Sequence, residues 1–217
     1  MKISILGGTG HYGKGLAFRW AKNHHIMIGS RDEGKAKHAA EQFNAELAPF
    51  SIPNYVVGAS NSEAVKFAEV VVFALRFHHL IPVLNETKSL FESKTVLSPV
   101  VPLVKKECFQ YPAPPEGSAA LAIRGILPSS AKVVAGLHTI PAAELRNLHH
   151  KLEGDAVYCG DEKESKKIVK GLIQEIEALR PLDAGPLEIS KMIEPLVPLL
   201  LNIKLFDLKK DLTVKFI

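Results

Sequence analysis

The 217-residue sequence predicts an α/β fold: a doubly wound, mostly parallel sheet with a small C-terminal helical or mixed part. Three observations carry that expectation. Short apolar runs alternate with segments of helical periodicity, which is the rhythm of βαβ units. The strand-like runs are β-branched and nearly unbroken, "EVVVFAL" most of all, as strands buried on both faces are. The first run, "KISIL", leads at once into the glycine-rich "GGTGHYGKG".

The elements follow in order. After "KISIL" comes a helix over "HYGKGLAFRWAK", a strand "HIMIGS" and a helix "EGKAKHAAEQFNAEL". A short strand "YVVGA", a helix from about Ser60 to Phe67, and the strands "EVVVFAL" and "KTVLSP" continue the alternation. Val100 to Gly117 is proline-rich and reads as a long loop; such loops inside compact domains tend to be functional. Beyond it the pattern predicts a helix from Ser118 to Leu127, a strand "KVVAGL", a helix after Pro141 and a strand "DAVYCG". A helix from Glu162 to Leu179 and a last strand "RPLDAG" follow. "PLEISKMIEPLVPLLLNIKLF" reads as a long apolar helix, bent or interrupted at its prolines, whose apolar face needs either the domain or a second subunit.

Composition narrows the function classes. With 47% hydrophobic and 23% charged residues the chain is an ordinary globular one. Cys108 and Cys159 are far apart, which excludes a disulfide framework and suits a reducing cytoplasm. "MKISILGG" is too short an apolar run for a signal peptide, and "PLVPLLLNI" is broken by Pro198 and Asn202 and too short for a membrane span. A cytoplasmic chain without membrane association is expected. The formal charge of +4 is scattered among acids and aromatics are only 7%, so the basic balance points to an anionic small ligand rather than nucleic acid. The pairs His24-His25, His78-His79 and His149-His150 make poor metal grips, because adjacent side chains diverge; no metal is expected.

The turn carries the chemistry. G-x-G-x-x-G falls at Gly8, Gly10 and Gly13, after a strand and opening a helix: a Rossmann-type dinucleotide site. Gly8 is expected to permit the tight turn, Gly10 the approach of a pyrophosphate, and Gly13 the packing of helix on sheet. The helix N-terminus offers N–H groups and a positive dipole end. About twenty residues on, where NAD sites place a carboxylate on the ribose, stand Ser30 and Arg31, with Lys35 one turn later. An arginine fork there binds a 2′-phosphate, which favours NADP. Asp32 is expected to cap the next helix.

Six segments, "ILGGTGHYGKGLA", "IGSRDEGKA", "LSPVVPL", "LHTIPAAEL", "CGDEKESKK" and "EALRPLDAGPL", occur in an order and spacing that resembles the coenzyme F-420-dependent NADP oxidoreductases. The resemblance covers nearly the whole chain. It implies a hydride transfer between NADP(H) and the 5-deazaflavin coenzyme F-420. It also implies an NADP-binding Rossmann domain over 1–137, and a small part over 138–217 that completes the deazaflavin cleft and contributes to a homodimer. By motif, Thr9, His11 and Tyr12 would join Gly8 and Gly10 on the pyrophosphate, and Ala74, Leu75 and Arg76 would sit under the nicotinamide ribose. Pro99, Val100 and Val101, with His138, Ile140, Pro141 and Ala142, would line the deazaflavin pocket. The helix over Leu200 to Ile203 would close it, with Asn202 at its edge. Both reactive carbons belong to cofactors, so alignment and a dry pocket suffice, and His138 is the candidate positioning residue.

One stretch departs from the family pattern. Where a proline and an aromatic residue usually follow the fourth strand, this chain has "FALRFHHL". Arg76 is placed to meet a phosphate or ribose, and His79 the nicotinamide side of the cleft or solvent. The stretch is similar to the reductase domain of membrane ferric reductases, so an NADPH-dependent reductase of FMN, FAD or ferric chelates is the alternative. A noncatalytic NADP-binding redox sensor is a third reading, against which the proline-rich loop and "LHTIPA" argue.

Overall fold

The computed structural model describes residues 1–53 and 55–217. The elements in chain order are β1 (Lys2–Leu6), α1 (His11–Trp20), β2 (His25–Ser30), α2 (Glu33–Leu47), β3 (Val56–Ser60), α3 (Asn61–Phe67), β4 (Val70–Phe73), α4 (Phe77–Thr87) and β5 (Thr95–Ser98). Then come β6 (Val104–Lys105), β7 (Phe109–Gln110), α5 (Ala119–Ile126), β8 (Lys132–Gly136), α6 (Ala142–Arg146), β9 (Gly154–Gly160), α7 (Lys163–Gln174), β10 (Leu179–Asp183), α8 (Ser190–Ile193) and α9 (Leu196–Ile203).

One eight-stranded sheet runs β10-β9-β8-β5-β4-β1-β2-β3. Its topological switch lies between β1 and β4, and the crevice beyond the carboxyl ends of those strands is where such sheets bind ligands. The strands alternate as a doubly covered sheet demands. Ile3, Ile5, Val70 and Val72 face the layer of α1, α2 and α7, whereas Leu6, Val71 and Phe73 face that of α3, α4 and α5. Trp20, fully buried, ties α1 to α7 by donating its indole N–H to the Leu172 carbonyl at 2.9 Å.

Four features depart from the expected pattern. Within the eight-stranded sheet all pairs are parallel except β8 with β9, which is antiparallel. The helix between them has five residues, about 7.5 Å at 1.5 Å per residue, too short to carry the chain back along the sheet. α6 therefore stays at the carboxyl edge. α7 stops at Gln174 rather than Leu179, because Ala178 takes a left-handed conformation (φ 67°) and Leu179 pairs with Gly154. The loop after β5 holds the small hairpin β6–β7. Between β4 and β5, where the pattern predicts no helix, α4 forms. The terminal apolar stretch is interrupted as expected: α8 ends before Pro195, and α9 passes into a wider π-type turn over Lys204–Leu208. No described helix is long and apolar enough to cross a membrane. The boundary expected at residue 137 falls between β8 and α6, inside this continuous sheet.

Residues 213–216 then run beside β9. The Asp155 N–H donates to the Val214 carbonyl at 2.7 Å and the Phe216 N–H to Asp155 Oδ2 at 2.6 Å, while Arg180 holds the same carboxylate with two bonds. Arg180 and the backbone N–H of Phe216 keep the Asp155 carboxyl below its ordinary range, against burial. This edge delivers residues 211 and 212 to the ligand crevice.

Candidate active site

The turn after β1 is set by sterics. Gly7 carries the left-handed conformation (φ 76°), so the conformational demand expected at Gly8 falls one residue earlier. Gly8 is required for a different reason: a Cβ there would lie 2.6 Å from Ile28 Cβ. At Gly13 a Cβ would lie 2.6 Å from Gly8 Cα, so α1 rests directly on the turn. Gly10 is another matter. Its φ is −83°, and a Cβ would meet only the Gly7 carbonyl, at an ordinary 3.5 Å. The fold leaves room for a side chain there; a pyrophosphate approaching the backbone would not. Gly10 caps α1 without a side-chain bond and no acid stands in the first turn, an N-terminus of the kind that suits an anion.

Beside it, β2 ends at Ser30. Ser30 Oγ accepts the Asp32 N–H at 3.2 Å, and Asp32 Oδ1 accepts the Lys35 N–H at 3.0 Å, so Asp32 caps α2 as expected. Arg31 and Lys35 are exposed. Arg31 approaches the start of α4. There, burial and then the charges of His78, Arg31 and Arg76 hold the His79 imidazole below its ordinary pKa. Cations from two strand ends thus converge over the switch point.

Next to the turn, a cleft of about 480 Å³ opens beyond the ends of β4, β5 and β8. One wall is Tyr12 with Ala74, Leu75 and Arg76; a second is Pro99, Val100 and Val101. His138, Ile140, Pro141 and Ala142 form a third, and Leu200 and Leu201 of α9 form a lid. The residues expected to line the second pocket therefore meet, with the exception of Asn202. Its amide faces away, accepting the Phe109 N–H at 2.7 Å and donating to the Phe109 carbonyl at 2.8 Å, so it pins hairpin β6–β7 to the back of the lid. Ser30 and Arg31 at the end of β2, Lys35 in the first turn of α2 and His79 in the first turn of α4 lie outside the lining. The sequence reading missed Phe73, Thr139, Ala143, Val197, Lys204, Asp211 and Leu212. Lys204 Nζ meets Asp211 at 2.6 Å at the rim. Thr139 and Ala143 stand inside "LHTIPAAEL", but no motif marks Lys204, Asp211 and Leu212, which only the path of the chain after α9 brings in.

Buried polar groups hold the walls. Leu137 is left-handed (φ 65°), a costly state for a leucine, and it bends the chain from β8 into the cleft. The Tyr12 hydroxyl donates to its carbonyl at 2.5 Å, and burial raises the phenol's pKa. Tyr12 is thereby a wall and a brace, and its hydroxyl is not free for phosphate. Arg19 donates to the carbonyls of Leu145, Glu144, Asn147 and His150 at 2.7–3.1 Å, fastening α6 to α1. The fully buried Glu194 accepts from Ala119 N–H (2.8 Å), Ala120 N–H (3.0 Å) and the Tyr111 hydroxyl (2.9 Å), capping α5 from the far end of the chain. Burial pushes its carboxyl up to about 7, against the pull of those donors.

His138 is 8% exposed, and neither ring nitrogen has a hydrogen-bond partner among the described residues. Burial pushes its pKa down to about 3, while the Ser98 backbone, close by but outside hydrogen-bond geometry, pulls weakly the other way; the ring is neutral, with a donor and an acceptor to offer. A buried, orphaned imidazole on an apolar cleft fits a ring ligand with polar edges. The described residues hold no metal-binding cluster. The Cys159 thiol is pushed up to about 12 by burial, which removes it as a nucleophile. What remains is a mostly apolar cleft beside the glycine turn, suited to aligning flat rings.

Residues 2–102 match the family described as NADP oxidoreductase, coenzyme F-420-dependent. The F-420-dependent NADP reductase of Methanocaldococcus jannaschii is 38% identical over 209 residues, 94% of this chain and 93% of the relative. That of Methanothermobacter marburgensis is 31% identical over 210 residues, 94% and 93%. A crystal structure from Arthrobacter sp. FB24, assigned provisionally as an F-420-dependent NADP reductase, has a TM-score of 0.83 over 100% of this chain and 99% of its own, at 22% identity. That likeness speaks for the fold. The sequence identity, held along nearly the whole length of both chains, makes this chain a member of the coenzyme F-420-dependent NADP reductase family.

Proposed function

We propose that this chain is an oxidoreductase that transfers a hydride between NADP(H) and coenzyme F-420. The observation that carries the reading is the apolar cleft directly beside the glycine turn, with the neutral, unpartnered His138 on its wall. When both are bound, the two cofactors supply the reacting carbons, and the hydride passes from one ring to the other. The chain's residues do the rest. Gly8, Gly10 and Gly13 admit the pyrophosphate, and Ser30, Arg31 and Lys35 take the 2′-phosphate. Ala74, Leu75 and Arg76 support the nicotinamide ribose. Pro99, Val100, Val101 and Ile140, with Leu200 and Leu201, exclude water and press the rings together. His138 fixes a ring carbonyl or carboxamide by a hydrogen bond without exchanging a proton.

Residues 138–217 supply most of the second pocket, and in this reading they also carry the homodimer contact. Leu199, Phe206 and Leu208, on α9 and the turn after it, are exposed apolar side chains suited to a second copy. A cytoplasmic location follows from the same reading, as the place of soluble cofactor pools.

The test is spectral. Oxidised coenzyme F-420 mixed with the protein and NADPH should lose its visible absorbance rapidly, and much more slowly with NADH. Turnover of FMN, FAD or a ferric chelate without bleaching of F-420 would replace this reading with the one that Arg76, Phe77, His78 and His79 suggest.

A further inference from the structure

Arg146, the last residue of α6, has a poor set of partners for a guanidinium. Its Nη1 donates to His11 Nδ1 at 3.2 Å and its Nε to the Ala142 carbonyl at 3.3 Å. The nearby acid Glu144 is engaged by His150 instead. A ring nitrogen is a neutral acceptor, so the cation faces the N–H end of α1 without a counter-charge among these contacts. The other basic side chains of α1 are occupied: Lys14 pairs with Glu46 at 2.6 Å, and Arg19 is spent on backbone carbonyls.

The position of Arg146 is fixed by its backbone. A Cβ on Gly15 would lie 2.5 Å from Leu145 Cβ, so α6 sits against α1 with no slack, and Arg19 locks the carbonyls on both sides of Arg146. Only the side chain can move, and the group it touches, His11, is the residue that directly follows Gly10. A pyrophosphate seated on the turn would offer this guanidinium two oxygens in place of one imidazole nitrogen.

We propose that Arg146 is a phosphate-binding residue of the dinucleotide site, exchanging His11 for the pyrophosphate when the nucleotide binds. The proposal rests on the dinucleotide reading above. It gives the site a charge that the glycine turn, offering backbone N–H groups alone, lacks. It also makes α6 a helix that touches both ligands, through Arg146 at its end and Ala142 at its start.

The experiment is a calorimetric titration of NADPH, NADH, ADP-ribose and 2′-AMP into the wild type, Arg146→Ala and Arg146→Lys. Arg146→Ala should weaken NADPH, NADH and ADP-ribose alike, by about tenfold. It should leave 2′-AMP, which has no pyrophosphate, unchanged. Arg146→Lys should fall between, since it keeps the charge and loses the fork. Equal affinity of wild type and Arg146→Ala for ADP-ribose overturns the proposal. So does a loss for 2′-AMP as large as for ADP-ribose, which would mark a general disturbance of the fold. A wild type that binds none of the four overturns the dinucleotide reading itself, an outcome distinct from a wild type that binds and a variant that binds equally.

Discussion

The two sides of the cleft are built in opposite ways. The dinucleotide side is one continuous piece of chain, β1 into α1, shaped by backbone sterics and by glycines, with its ligand groups left open. The facing side is gathered from segments far apart in sequence: 99–101, 138–142, 196–204 and 211–212. Buried and half-buried side chains reaching across the fold hold these together, among them Arg19, Tyr12, Glu194 and Asn202. Binding and folding should therefore separate cleanly on the first side and be hard to separate on the second.

The most severe test is Glu194→Ala. It leaves the Ala119 and Ala120 N–H groups and the Tyr111 hydroxyl without their acceptor. The expected cost is roughly 3 kcal/mol or more, a fall in Tm of about 6–12 °C for a chain of this size. A Tm within a degree or two of wild type would show that the facing side is not held as described.

A milder form of the same test uses pH. The carboxyl of Glu194 titrates near about 7 in the folded chain, against an ordinary 4.5. Between those values the folded state keeps a proton that the unfolded state has released. Stability from this group is therefore full below the unfolded value and falls as pH rises toward 7, by up to about 3 kcal/mol. Glu194→Gln should flatten that part of the urea-unfolding stability curve; a variant with the wild-type slope would place the titration elsewhere.

On the other side, Gly10→Ala should weaken NADPH by tenfold or more, roughly the loss of one charge-assisted contact. Tm should hardly change, because the added methyl meets only the Gly7 carbonyl at 3.5 Å. A large loss of stability with normal affinity would reverse the assignment of Gly10 from ligand to fold. Arg31→Ala should cost NADPH about tenfold and NADH almost nothing; equal losses would remove the 2′-phosphate from this corner. The smallest effect is expected at His138→Ala: hydride transfer several-fold slower, since one orienting hydrogen bond goes, with NADPH affinity nearly kept. An unchanged rate would make the ring merely structural.

The same contrast governs what could be read from the chain. The first side was legible almost to the residue. "KISIL", "HIMIGS" and the helix Glu33–Leu47 form as the patterns predict, because local sterics and periodicity decide them. Even there, the left-handed residue proved to be Gly7, one step from where the motif suggests. The facing side was legible only where a resemblance supplied it. Nothing in the spacing of Glu194 says that it caps a helix some seventy residues earlier, and nothing in "HYGKGLAFRWAK" says that Arg19 will bind four carbonyls. Such contacts follow from tertiary placement, and periodicity is silent about them. The antiparallel turn of β9 was missed for a related reason: the helix before it looks like any other until its five residues are measured against the sheet.

Leu137 has a consequence for how freely this site can vary. A glycine there would relieve the left-handed backbone by about 1 kcal/mol. It would also strip from the core a fully buried side chain worth about 2 kcal/mol. A β-branched residue would keep the apolar bulk and deepen the strain. No substitution meets both demands, so the bend leading to His138 keeps its strained leucine because the buried side chain outweighs the strain, and drift at this position is blocked from either direction.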